Sequence, residues 1–237
     1  MKWLGLLAFF IFFEAHSDIN VERHDFQFEY GFTYHTLVGT QKNNNSKGRL
    51  TSPQYPFWSA AYAYRFSQNY AIRFSGGISF VRFDEPEESE ATLKSENKVL
   101  NHYEVELIRK TGAYSKFGIF FRQQDHPLYF AKTPTEFEVV ENSFYESGIH
   151  LSLSQRRRIG LIWGLGVKGY LLFPTEGGDI VTEAGYGGDA YARLGWIGPL
   201  GTTYQLKGFY LYSSAPNAEV TFSHEQLGYS FLINLTF

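Results

Sequence analysis

Four groups of residues in this 237-residue chain have side chains that could do chemistry. Asp125 and His126 are neighbours in "QQDHPLY", a carboxylate beside an imidazole, as in general acid–base catalysis. Asp84 and Glu85 open the acidic stretch "DEPEESEATLKSENK". Glu146, His150 and Ser152 recur at even spacing in "ESGIHLS", so an extended backbone points all three to one side, as a nucleophile and its base would require. Arg156 to Arg158 form a run of three arginines able to meet phosphates or anionic head groups. Each group also has a plainer account. Neighbours on a strand point to opposite faces, which separates Asp125 from His126, and an adjacent Asp–His pair is a poor metal signature. A histidine on a polar strand face is ordinarily satisfied by its neighbours. Three arginines at a turn are ordinarily solvated. No catalytic, cofactor or metal site is therefore assigned, and the chain is read as non-enzymatic.

The elements that would position these residues are strands throughout. "FQFEYGFTY" sets Phe26, Phe28, Tyr30, Phe32 and Tyr34 on one face and Gln27, Glu29, Gly31 and Thr33 on the other. The same alternation runs through "WSAAYAYRF", "YAIRFSGGISF", "YEVEL", "KFGIFFR", "IHLSL", "IGLIWGLGVKGYLLF", "AYARLGW" and "YQLKGFYLY". It closes in "YSFLINLTF", where Tyr229, Phe231, Ile233, Leu235 and Phe237 share a face. Strict period-two patterning argues strands, and no segment has a helical period. The count is about ten. Tight turns at Ser67–Asn69, Lys110–Ala113, Ser154–Arg157 and Ile197–Gly201 take turns with longer links at 38–55, 84–98, 123–142, 174–185 and 213–218.

Composition fits strands that face lipid. Aromatics make up 19% of the chain, with 17 Tyr and 23 Phe, more than a compact interior needs. The net charge of −3 gives no support for nucleic-acid binding. There is no cysteine, so neither a disulfide framework nor a lipoprotein acylation site is available. Residues 1–17 read as a secretory signal peptide: Lys2 is the basic start, Trp3 to Phe13 the apolar run, and Ala15 and Ser17 the small residues before cleavage. Residues 18–237 then form one domain. A soluble barrel of lipocalin type also alternates, with its apolar face inward, and periodicity alone does not separate the two. The terminal aromatic, the asymmetry of turns and loops, and the excess of aromatic surface favour the membrane.

Over its whole mature length the chain resembles the bacterial outer-membrane β-barrel class. The resemblance implies an all-β, antiparallel up-and-down transmembrane barrel of about ten strands. Short turns would face the periplasm and longer loops the exterior. It also implies that Tyr229, Phe231, Ile233, Leu235 and Phe237 form the C-terminal signal read by the barrel-assembly machinery. The other partners it implies are periplasmic chaperones, outer-membrane lipid and lipopolysaccharide, with the chain acting as a monomer. Comparison with two barrel enzymes is negative. Omptin-type proteases place their Asp and His two residues apart, on one face, beside paired aspartates missing here. The lipid A deacylases place a His/Ser/Glu set on the lipid side near the C-terminus, whereas His150 lies inside.

On the polar face lie Asp25, Glu29, His35, Arg65, Arg73, Glu104, Glu106, Lys116, Arg122, Glu146, His150, Lys168, Asp189, Arg193, Lys207 and His224. Gly77, Gly118, Gly148, Gly160, Gly164 and Gly166 share that face and would relieve crowding. Acids and bases in so narrow a barrel are expected to pair, because unpaired buried charge is costly. The expected lumen network is Glu29, Arg65, Arg73, Glu104, Glu106, Lys116, Arg122, Lys168, Asp189, Arg193 and Lys207. Large side chains such as Phe120, Tyr170 and Phe209 lie on the same face. Two functions remain open: a structural or plugged small-solute barrel, porin-like at most, and a surface-interaction protein working through its loops.

Overall fold

The computed structural model describes residues 24–43, 47–84, 92–94, 96–133, 136–156, 160–175, 180–198 and 202–237. The expected leader and the first mature residues lie outside these, as do Arg157, Arg158 and most of the acidic segment after Asp84.

Ten long antiparallel strands form the wall: β1 (His24–Gln41), β3 (Tyr55–Arg65), β4 (Tyr70–Val81), β6 (Lys98–Lys110), β7 (Ser115–Thr133), β8 (Glu136–Arg156), β9 (Leu161–Pro174), β10 (Gly185–Ile197), β11 (Thr203–Pro216) and β12 (Val220–Thr236). Two short strands decorate it. β2 (Lys47–Thr51) pairs with the outer end of β1, and β5 (Thr92–Lys94) runs parallel to β8. No described residue is helical.

β12 pairs with β1 along its whole length, from Asp25 opposite Thr236 to Gln41 opposite Val220, and closes the sheet into a barrel. Closure removes the open edge that lipid could not satisfy. Phe237 completes the seam. Its backbone N–H donates to the His24 carbonyl at 2.9 Å, and its carbonyl accepts from His24 N–H at 3.2 Å. Following cross-strand partners from Asp25 around the barrel leads back to Leu37 on the same strand, a shear of 12 residues. Ten strands with that shear tilt by roughly 40°, the usual range for membrane barrels.

The direction of the apolar face decides between membrane and soluble barrels, and it is outward. Phe28, Phe74, Tyr103, Ile119, Phe121, Leu151, Val167, Leu194, Leu206, Leu227 and Tyr229 are all exposed on the wall. Rings gather at the two rims. Phe26 lies 4.9 Å from Tyr62 and 6.2 Å from Phe237 at the end carrying the termini, where Trp196 also stacks on Tyr204 at 5.7 Å. Trp58 meets Phe80 at 5.5 Å and Phe121 meets Tyr145 at 5.7 Å toward the other end. At about 3.3 Å per residue and a ~40° tilt, the rise from Phe26 to Tyr34 is ~20 Å, close to the roughly 25 Å apolar band of this barrel type.

Some expected boundaries are wrong. The link expected at 123–142 is mostly strand: β7 and β8 run 19 and 21 residues and continue past the bilayer as a paired extension. A membrane strand needs about 9–11 residues, so each overshoots by roughly ten. The link at 38–55 likewise contains the end of β1 and all of β2. Gly160 does not line the interior; it sits in the turn before β9 with φ of 82°, a left-handed conformation suited to glycine. Trp163, near the start of β9, bonds Gln155 at 3.1 Å and belongs to the periplasmic rim.

Two apolar clusters fill the extracellular end. One contains Phe120, Leu128, Val140, Phe144, Tyr170, Leu172, Ala215 and Phe222. The other contains Leu37, Leu50, Val81, Phe83, Leu93, Leu100 and Val139, which draws β2 and β5 over the mouth. The extensions of β7 and β8 thus supply a cap.

Candidate functional site: the charged interior

Inward residues of β1, β3, β4 and β6 to β12 meet across the lumen because each strand turns every second side chain to the axis. At the periplasmic end Arg65 pairs with Asp25 at 2.8 Å, and Thr236 donates to Asp25 at 2.7 Å. Slightly higher, Lys207 pairs with Glu29 at 2.9 Å, which also accepts from Ser230 at 2.6 Å. Arg73 reaches Glu106 at 3.9 Å. His150 bonds Glu106 through Nδ1 at 2.5 Å and the Tyr191 hydroxyl through Nε2 at 3.0 Å.

In the middle, Lys168 pairs with Glu104 at 2.5 Å and lies 4.6 Å from the Phe120 ring centre. Arg122 is the hub. Its guanidinium donates to Glu146 (Nε at 2.6 Å, with Nη2 also in contact) and to Asp189 at 3.0 Å, stacks 4.8 Å from the Tyr170 ring, and stands 3.9 Å from Glu104. Tyr170 donates its hydroxyl to the other Asp189 oxygen at 2.9 Å.

Three histidines sit above the hub, all at most 3% exposed. His126 bonds Glu146 at 2.7 Å, His224 approaches His126 at 3.5 Å, and His35 bonds His224 at 2.9 Å. Thr33 meets His35 at 3.0 Å, and Ser213 meets His126 at 3.1 Å. Sequence reasoning missed this cluster because its members are far apart in the chain. It also put His126 at the outer rim. The extension of β7 instead carries His126 inside, under the cap. Asp125, its neighbour, accepts from Asn101 N–H at 2.9 Å and also bonds Ser143. Glu146 engages His126 and Arg122, while His150, four residues on, engages Glu106, so the Glu146–His150–Ser152 trio is not one site. Among the described residues no three His, Asp or Glu side chains are grouped to hold a metal ion.

Of the expected lumen network, Glu29, Arg65, Arg73, Glu104, Glu106, Arg122, Lys168 and Asp189 are in ion pairs, with Lys207 on Glu29. Lys116 and Arg193 have no carboxylate within 4 Å among the described residues. Small positions make room where large groups cross. A Cβ on Gly118 would fall on the Glu106 carboxylate, and one on Gly166 on the Tyr191 ring.

Exposure is graded along the axis. Among the lumen cations side-chain exposure falls from 38% at Arg65 to 26% at Arg73, 23% at Lys207, 11% at Lys168 and 7% at Arg122, with Glu146 above at 0%; the acids do not follow it, Glu29 and Glu106 being at 5% and 1% low in the lumen and Asp189 at 17% beside the hub. Solvent therefore enters from the periplasmic end and stops below the apolar cap. A cavity of about 200 Å³ lies within the lumen, lined by Arg73, Lys207, Arg193 and Glu29 and reaching up to His35 and Leu100 beneath the cap.

Comparison with known structures agrees with this geometry. The outer membrane protease OmpT from Escherichia coli superposes with a TM-score of 0.61 at 8% identity, covering 94% of this chain and 99% of that one. An outer membrane channel from Pseudomonas putida F1 gives 0.50 at 10% identity, covering 95% and 99%. The fold is that of the bacterial outer-membrane β-barrels. No protein-family model and no curated protein sequence matches the chain. With lipid-facing aromatics outside and ion pairs inside, the barrel is a protein of the outer membrane.

Proposed function

We propose that this is a plugged, non-conducting barrel of the outer membrane, non-enzymatic, whose interior is a stabilising ionic core and not a conduit. The observation that carries this reading is the fall in exposure from Arg65 to Glu146 beneath a dry apolar cap. A conduit needs a continuous water path, and a hydrophobic constriction of this depth excludes water. The non-enzymatic reading is supported by His126 and Glu146, which are sealed at 2% and 0% exposure, out of a substrate's reach.

A second reading is favoured by the paired extension of β7 and β8. Backed by the apolar clusters, it is a stable extracellular platform suited to contact with other molecules at the cell surface. The test of the primary reading is planar-bilayer recording of the purified barrel. The expected result is no steady conductance above the bare membrane. Large, stable channels would overturn the plugged reading.

A further inference from the structure

Charge in the lumen is segregated by height. The lower half carries Arg65, Arg73, Lys116, Arg193 and Lys207 against Asp25, Glu29 and Glu106. The three acids are each taken by a partner: Asp25 by Arg65, Glu29 by Lys207, Glu106 by Arg73 and His150. Lys116 and Arg193 are left over. Arg193, Arg65 and Arg73 all lie within electrostatic reach of Lys116, against the single carboxylate of Asp25, which Arg65 already holds. Arg193 stands directly opposite Lys207 on the neighbouring strand, a like-charge pair that a sheet does not favour. Its Nε is buried with no hydrogen-bond partner.

A second observation concerns the same level. Gln205, 6% exposed on β11, has its Oε1 buried and unpartnered, and Asn234 on β12 has its Oδ1 in the same condition. Three of the buried unpartnered polar atoms among the described residues thus fall in this belt, others being at Ser79, Glu106, Arg122 and Thr182. Arg193 lines the cavity together with Arg73 and Lys207, and Lys116 is exposed at the periplasmic end. Two cations without anions, amide side chains beside them, and an opening on one side only make a receptor for negative charge.

We propose that the periplasmic half of the lumen is a binding site for a small phosphate-bearing anion, held by Arg193 and Lys116 with Arg73 and Lys207 behind them. Arg193 offers a planar fork matched to tetrahedral and carboxylate oxyanions, and Lys116 a mobile point charge at the entrance. Gln205 and Asn234 can turn their amides to donate to oxygens or to accept from a protonated one. The ligand arrives from the periplasm and leaves the same way, so the site does not require conduction. The phosphate can belong to a free solute or to a phospholipid head group of the inner leaflet.

The test uses the full barrel folded in a non-ionic detergent free of phosphate. Inorganic phosphate is titrated by calorimetry, with sodium chloride at matched ionic strength as the blank. Saturable binding is expected, at least tenfold weakened in Arg193→Gln and in Lys116→Gln. Because both cations are unpaired without the anion, each variant should fold as well as wild type and resist urea equally or better. Folding is verified by the shift in gel mobility on heating. A third arm repeats the titration in vesicles of phosphatidylcholine with and without phosphatidylglycerol. Loss of phosphate binding only with phosphatidylglycerol assigns the site to a head group; binding in both assigns it to a free solute. No saturable binding in detergent, or binding unchanged in the folded variants, overturns the proposal.

Discussion

Removing Glu146 should destabilise the barrel strongly, because it takes the nearest partner from the buried Arg122 hub. Glu146 is fully buried, accepts from Arg122 Nε at 2.6 Å, lies in ion-pair contact with Arg122 Nη2, and bonds His126 at 2.7 Å. Glu146→Ala leaves Arg122, 7% exposed, with Asp189 at 3.0 Å and Glu104 at 3.9 Å as its remaining acids. Stripping one partner from a buried ion pair costs about 3–5 kcal/mol. The surviving Asp189 contact puts the expected loss at the lower end, about 3 kcal/mol. Glu146→Gln retains one acceptor oxygen but turns an amide N–H toward donors, and should cost about 2 kcal/mol. The double variant Arg122→Met with Glu146→Leu removes both charges and fills similar volume. It should recover most of the loss, because no unpaired charge remains. Urea unfolding in lipid vesicles, followed by tryptophan emission, measures all three. A loss under about 1 kcal/mol in Glu146→Ala would refute the reasoning, as would a double variant no better than the single one.

Phe74 and Val167 face outward near the middle of the apolar band, at 45% and 52% exposure in the isolated barrel. Arg at either should cost about 2–4 kcal/mol in vesicles, and a change under roughly 0.5 would mean that this face does not meet lipid. Deleting Phe237 removes its two backbone hydrogen bonds to His24 and the ring contact with Phe26. The amount of heat-modifiable barrel in the outer membrane should fall sharply; wild-type levels would end the assignment of this residue to assembly.

How much of this was legible in the sequence depends on which physical rule a residue obeys. Inside the bilayer, lipid imposes apolar outer faces, so period two is strict and β1, β4 and β9 can be read directly. Beyond the bilayer both faces of a strand meet water or the cap, and the pattern dissolves. That is why 123–142 reads as a loop: Gln123 and Asp125 are polar on the outer face, while Leu128 and Val140 are apolar on the inner face, reversing the rule. Pro127 adds to the loop-like appearance, since proline is usually excluded from central strands. Inner-face membership follows from parity alone, but pairing does not. The sequence reading placed Arg122 and Glu146 on one face without showing that they touch, because cross-lumen contacts depend on the shear. β5 had no readable signal. It is three residues long and parallel to β8, held by burial of Leu93 in the cap.

The three histidines solve a boundary problem that charged residues could not. Below them lies a layer of ion pairs; above them lies a layer of apolar side chains. A lysine or carboxylate at the boundary would need a partner in the apolar layer and would find none. A neutral imidazole donates with one nitrogen and accepts with the other, so a row of them can end a hydrogen-bond network without adding charge. One arrangement uses every contact. With Glu146 ionised, His126 donates to it from Nε2, which leaves its Nδ1 to accept from Ser213 and, at longer range, from His224 Nδ1–H. His224 Nε2 then accepts from His35 Nδ1–H, and His35 Nε2 accepts from the Thr33 hydroxyl. All donors point one way, toward Glu146, which shares the Arg122 guanidinium with Asp189. Polarity thus declines in steps from the periplasmic mouth to the cap: cations, buried ion pairs, imidazoles, then Phe144 and Phe222, which pack in the cap. A barrel evolved to pass solutes would place its narrowest, driest layer where it could open. On the plugged reading proposed above, that layer is held shut by the packing of β2, β5 and the long β7–β8 pair.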